Sequence, residues 1–353
     1  MLYEDLNERE KTILRSIVHQ FILTASPVGS RNITKKFNVG VSPATVRNIM
    51  SDLEDSGFIN HPHTSAGRIP TDKGYRYYVD SLMELQKLKS SDKGIIDRSL
   101  DKSLLETDDI LKIASQLLSR ITKQIACVTY PTLDNGILEK IQLVELSSTR
   151  LLVVVSIKSG LVKTITLEFE SEVENSKLLK VESLLNERLN GLTFQEIRNT
   201  FKERFVDVAE TEKPIIRLFV DSVDKIFMDQ KKGDKLVITG ATNVIQQPEF
   251  EDPEKFQSVI ELIEDKDIII HIMEKKKADK NSNVLISIGS EIEDEKLNEY
   301  SLITKEYTFG ETSGTVGIIG PKRMEYSKVV AIVSYLGDML SEVLKGNKKG
   351  ESY

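Results

Sequence analysis

The ten residues Ser42-Pro43-Ala44-Thr45-Val46-Arg47-Asn48-Ile49-Met50-Ser51 decide how this chain is read. Ser42 before Pro43 predicts a helix start, with a side-chain oxygen for a free N–H and a proline where its missing N–H costs nothing. Val46, Ile49, Met50 and Leu53 follow at i, i+3, i+4 and i+7 and predict one apolar face. The other face carries Ala44, Thr45, Arg47, Asn48 and Ser51, which are small or hydrogen-bonding, unlike the long mixed charges of an ordinary solvated helix. Gly57 supplies a left-handed end.

Upstream, residues 5–24 predict an amphipathic helix, with Asn7 and Glu10 as a capping box and Ile13, Leu14, Ile17 and Phe21 inward. Ser26-Pro27-Val28-Gly29 breaks it, and a short helix over Ser30–Phe37 ends at the turn Asn38-Val39-Gly40-Val41. Downstream, Phe58–Asn60 and Gly67–Pro70 flank a polar loop and predict a hairpin, followed by a helix over Asp72–Leu88. Three helices and a hairpin in this order predict a winged helix-turn-helix over residues 1–88.

That fold places the start of its third helix in the DNA major groove. Arg47 suits guanine O6/N7 and Asn48 adenine N6/N7, while Thr45 and Ala44 suit the thymine methyl. The helix N-terminus around Ser42 and Ala44 suits a phosphate. Ser42, Ala44, Thr45, Arg47, Asn48 and Ser51 are the expected reading set. In the hairpin loop, Thr64, Ser65 and Arg68 are expected to reach backbone or minor groove, with Gly67 allowing a sharp turn and close approach. Arg31 and Lys35, with Lys36, are phosphate candidates, and Lys73 and Arg76 follow the hairpin. The competing reading is structural: a solvated helix face for Arg47 and Asn48, a surface ion pair for Arg68, and solubility charge for Arg31, Lys35 and Lys36. Tyr75, Tyr77 and Tyr78 are expected to pack beneath the hairpin.

The rest of the chain predicts an α+β body. Lys89–Gly94 opens a linker over 89–103, and a helix near Leu104–Ile125 follows. Strands are expected at Ile137–Leu146, Leu151–Ser156 and Leu161–Phe169, meeting late strands at Val284–Ile288, Ser301–Phe309 and Thr315–Ile319 in one sheet. Between them, helices are expected at Ser176–Leu189, Thr193–Phe205 and Ile215–Met228, and a final helix over Tyr326–Leu344.

Composition bounds the function. A chain of 353 residues suits two to three domains. It holds 48 basic and 55 acidic residues, a net of −7, but its first ninety residues hold 12 and 10, a net of +2, which leaves −9 for the rest. This mild asymmetry lets a polyanion approach the first segment while the remainder repels it, without by itself naming that partner. The single Cys127 excludes an internal disulfide framework and a cysteine-cluster metal site. No apolar run is long enough to span a bilayer, and the acidic start MLYEDLNEREK has no apolar signal core, so a cytoplasmic protein with no membrane partner is expected. No enzyme, metal or cofactor is expected. Gly310–Gly320 lacks the Lys-Ser/Thr ending of a phosphate loop and reads as a turn between strands. His61-Pro62-His63 reads as a rigid turn, Cys127 as a small core residue, His271 as a core or helix-edge histidine and Glu293-Asp294-Glu295 as loop charge.

Three runs carry a family resemblance: Pro27-Val28-Gly29-Ser30-Arg31, Ser42 to Met50, and above all His63-Thr64-Ser65-Ala66-Gly67-Arg68-Ile69-Pro70-Thr71-Asp72-Lys73-Gly74-Tyr75-Arg76-Tyr77-Tyr78-Val79-Asp80. They resemble the bacterial heat-inducible transcription repressor family, HrcA. Weaker matches follow at Gly310-Glu311 and Gly317-Ile318-Ile319-Gly320-Pro321, with Arg323-Met324 and Tyr326. The resemblance implies a winged-helix domain, a GAF-like domain over 104–191 and 251–348, and a dimerising domain inserted at 192–250. It implies a homodimer on an inverted-repeat operator in double-stranded DNA upstream of chaperone operons, kept active by the GroE chaperonin and released on heat stress. The alternative is a winged-helix repressor whose GAF-like domain senses a small-molecule ligand.

Overall fold

Helix α1 (Glu8–Thr24) starts as its sequence dictates: the Asn7 side chain accepts from the Arg9 and Glu10 N–H groups, and Glu10 accepts from the Asn7 N–H. The computed structural model describes residues 6–62, 67–100, 106–168, 175–208, 213–227, 236–275 and 284–346. After α1 come α2 (Ser30–Lys36), α3 (Pro43–Asp55) and a two-stranded antiparallel ladder of β1 (Ile59–Asn60) and β2 (Ile69–Pro70). Ile13, Leu14 and Ile17 of α1, Ile33 of α2 and Val46, Met50 and Leu53 of α3 bury their side chains together, with Phe58 beneath the ladder.

Helix α4 (Asp72–Tyr77) runs into one wide π turn, Tyr78–Leu82, and stops there, short of the expected Leu88. The next residues take their partners from the body instead of from a helix: Ser327 Oγ accepts from the Gln86 N–H at 2.8 Å and donates to the Glu84 carbonyl. Tyr77 meets Phe58 edge-on at 5.3 Å between centroids, and Tyr75 packs against Tyr326 of the body at 6.0 Å. The amino-terminal core therefore continues without a break into the body.

The expected linker is largely helical. Ser90–Leu100 forms α5, whose Ile96 and Leu100 are buried. The polar Lys89–Gly94 run suggested a loop, but the apolar pair four residues apart gives this stretch a face to pack. Helix α6 (Thr107–Thr122) leads into β3 (Ile125–Thr129), whose five residues are all buried. Strand β3 lies in a five-stranded antiparallel sheet of order β7-β3-β10-β9-β8, with β7 (Leu236–Thr239), β8 (Leu285–Ile288), β9 (Tyr300–Phe309) and β10 (Thr312–Pro321). Ala126, Val128, Ile303 and Ile318 face a layer containing α5, α6 and α14 (Tyr326–Gly346). Ile125, Cys127, Leu302 and Ile319 face the opposite layer, which holds α11 (Ala241–Ile245), α12 (Pro253–Glu264) and α13 (Lys266–Lys275).

The strands expected at 137–169 do not join this sheet. Strands β4 (Leu138–Ser147), β5 (Arg150–Ile157) and β6 (Val162–Glu168) form their own antiparallel sheet, β5 in its centre. Its inner residues Ile141, Leu151, Val153 and Val155 share a separate core with α7 (Asn175–Leu189), α8 (Phe194–Arg204), α9 (Lys213–Asp221) and α10 (Val223–Phe227). The boundary expected at 191/192 falls inside this unit, where Gly191 and Leu192 bond the backbone of Leu138. The inserted unit thus begins before β4 and runs to α10, while β7 and α11 belong to the body. Alternating apolar strands state that they pair, and nothing local states with which sheet. The turn expected across Gly310–Gly320 shrinks to Gly310-Glu311, since Phe309 pairs with Thr312 and the later glycines lie within β10. A Cβ at Gly317 would sit 2.6 Å from the Ile303 carbonyl oxygen, so the strand itself requires glycine there.

Candidate nucleic-acid interface

Helix α3 is built as its spacing predicts. Ser42 Oγ accepts from the Thr45 N–H at 3.1 Å and lies 3.0 Å from Thr45 Oγ1, which ties both hydroxyls to the cap. Val46, Met50 and Leu53 are buried. Ser42, Ala44, Arg47, Asn48 and Ser51 are exposed, and Thr45 is half-buried. Lys35 and Arg31 on α2 are exposed too. Among the described residues, the side chains of Arg31, Lys35, Arg47 and Asn48 have no hydrogen bond or ion pair. This leaves three uncommitted cations and an uncommitted amide on two neighbouring helices, free to bond an external partner.

The hairpin cations are placed differently. Thr64 and Ser65 lie outside the described residues. Arg68 exchanges both backbone hydrogen bonds with Val28, 2.8 and 2.9 Å, and its Nη2 lies 2.6 Å from Glu54 Oε2. Gly67 does permit a close approach, but to this chain: a Cβ there would sit 2.6–2.7 Å from the Val28 backbone. Lys73 Nζ donates to the Ser56 carbonyl at 2.7 Å and lies 4.4 Å from the centre of the Phe58 ring. Arg76 turns away from the α3 face into the body. Its Nε donates to Glu291 Oε1 at 2.8 Å, its Nη2 to the Ile286 carbonyl at 2.7 Å, and its Nη1 to Asp80. Burial works against its charge, but the Glu291 and Asp80 carboxylates outweigh that and hold the guanidinium above its ordinary pKa. The expectation that Arg76 serves the interface is therefore corrected: it fastens the amino-terminal unit to the body. Asp72, which accepts from Lys322 Nζ at 2.9 Å, and Arg323, which donates to the Ile22 carbonyl at 2.7 Å, strengthen the same junction.

Glu54, near the end of α3, escaped the sequence reading. Its second oxygen meets His61 Nδ1, so one carboxylate holds residues on both sides of the hairpin loop. Burial pushes the Glu54 carboxyl up, but the His61 hydrogen bond and the Arg68 and His61 charges outweigh it and leave the carboxyl below its ordinary value. Its partners lie 7 and 14 positions away, spacings without meaning until the hairpin register is known.

The enzymatic candidates do not assemble a site. Cys127 is fully buried, and burial pushes its thiol up to about 12, far from a reactive thiolate. His271 is exposed on α13, not in the core. Among the described residues, no three His, Cys, Asp or Glu side chains are grouped to hold a metal, and no helix is long and apolar enough to cross a membrane.

Comparison with known proteins agrees in direction. Residues 108–330 match the family model of the HrcA protein C-terminal domain. The heat-inducible transcription repressor HrcA of Chlorobium phaeobacteroides (strain BS1) is 42% identical over 98% of this chain and 100% of its own length. That of Prosthecochloris aestuarii is 41% identical over 96% and 97%. A crystal structure of a hypothetical protein, 23% identical, covers 97% of this chain and 100% of its own with a TM-score of 0.59, so the two share a fold.

Proposed function

The chain belongs to the heat-inducible transcription repressor HrcA family and is a DNA-binding negative regulator of transcription in the heat-shock response; from that premise we propose that it represses chaperone operons by placing two copies of α3 on an inverted-repeat operator. In this reading residues 8–82 are a winged helix-turn-helix, α3 is its recognition helix, and the body carrying the five-stranded sheet is GAF-like. The single observation that carries it is the exposed, uncommitted Arg47 and Asn48 on a helix whose other face is buried. Arg47, Asn48, Ala44 and Thr45 read bases; Ser42, Ser51, Arg31 and Lys35 hold the backbone, joined by Thr64 and Ser65.

An inverted repeat is matched by two-fold protein symmetry, so the acting form is a homodimer. The inserted unit, now bounded by β4 and α10, is its seat. The exposed Val144 and Val162 beside Leu152 and Val154 on the outer face of its sheet support this. The GroE chaperonin keeps the repressor active, and heat diverts it to unfolded clients. The relatives are heat-inducible, which favours release by heat over release by a small molecule.

Footprinting on the organism's own chaperone promoters, with and without chaperonin, tests this. Protection of an inverted repeat that strengthens with chaperonin is expected. Protection that ignores sequence would remove the operator reading, and protection indifferent to chaperonin would remove the regulatory one.

A further inference from the structure

We infer that Glu54 is a positioning residue that fixes the hairpin loop relative to the recognition helix, and that Arg68 acts through Glu54 and not on phosphate. This rests on the DNA-binding reading above. His61, just after β1, and Arg68, just before β2, both end their side chains on the same carboxylate. A carboxylate is an acceptor with two oxygens. Here each oxygen holds one foot of the loop. The carboxylate belongs to the last turn of α3, so any rotation of the recognition helix is carried to the loop.

Arg68 is a poor phosphate ligand where it stands. Its backbone N–H and C=O are both committed to Val28, and Gly67 lies against the same residue, so the backbone here is tied to the chain on both sides. Its side chain is only 25% exposed, and its Nε is buried with no hydrogen-bond partner among the described residues. A phosphate would have to take the guanidinium from Glu54, giving up one charge-assisted bond to make another. Arg47, by contrast, has nothing to give up.

The full chain carrying Glu54→Gln, Arg68→Gln, both together, or His61→Gln is titrated with operator and scrambled duplex over a range of salt, with hydroxyl-radical footprinting of the operator flanks. Each single change is expected to blur the flank protection left by the hairpin and to weaken operator binding about ten-fold. The double change should be no weaker than the worse single. The salt slope of Arg68→Gln should equal that of the native chain, because no phosphate contact is lost. A slope lower by about 0.9 for Arg68→Gln, with additive losses in the double variant, would make Arg68 a phosphate contact and overturn the inference. His61→Gln changes a half-exposed side chain and leaves the core intact. Native flank protection in that folded variant overturns the inference as well. A native chain that fails to tell operator from scrambled duplex overturns the parent reading and this one with it. A native chain that discriminates isolates any failure to Glu54.

Discussion

Two sets of basic residues share the amino-terminal unit and do opposite things. Arg31, Lys35 and Arg47 are exposed and uncommitted, whereas Arg68, Lys73 and Arg76 are held by Glu54, the Ser56 carbonyl and Glu291. All six were expected to serve one interface, Arg47 at the bases and the others at the backbone or beside the hairpin. In the proposed reading the first set is free to meet an outside polyanion, while the second spends its charge on contacts within the chain. The difference follows from position. The second set sits where β2 and α4 turn back against α3 and the body, so acceptors lie within reach.

The contrast breaks most visibly at Arg76. Arg76→Ala leaves Glu291 and the Ile286 carbonyl without their cation, at a cost of about 3 kcal/mol. Thermal unfolding should shift to lower temperature while the salt slope of DNA binding stays native. A lowered slope at unchanged stability would move Arg76 into the first set. Next come Arg47→Ala and Asn48→Ala, each expected to reduce discrimination between operator and scrambled duplex by about 1–3 kcal/mol with no change in thermal midpoint. Competition binding reads this directly, and an unchanged specificity ratio removes the residue from the base-reading set. Arg31→Ala and Lys35→Ala should weaken binding to every sequence alike and lower the salt slope by about one each.

The smallest effect is a pH dependence. The Glu54 carboxyl is held below its ordinary value of 4.5. Its contribution to stability is therefore complete above that value and fades as pH falls through the lowered one. Acid unfolding of Glu54→Gln should be flatter across that interval than unfolding of the native chain. Parallel curves would mean that Glu54 is not held as its geometry suggests.

How much was legible in advance differs between helices and sheets. The Asn7–Glu10 box, the Ser42 cap and the buried stripe Val46, Met50, Leu53 all form as their spacing dictates, because each partner lies within one or two turns. Strand β3 begins at the last residue of an expected helix, and its role is set by neighbours 188 to 194 residues away, Val316 to Ile319. The strands β4 to β6 were recognised as strands but assigned to the wrong sheet, since period-two alternation encodes a buried face and no partner. The same limit governs the site. The free face of α3 is a helical property and was read from ten residues. The ion pair of Arg76 joins residues 215 positions apart and was not.

The sequence by itself determined helix α3, its two faces and, through the ordered motifs of residues 27–80, the family. Only the tertiary structure decided which cations remain free, where the inserted unit begins and ends, and that one carboxylate braces both feet of the hairpin. Helix caps and helix faces are settled by contacts a few residues apart, which local spacing specifies. Ion pairs and sheet membership depend on which distant segments the packed core brings together.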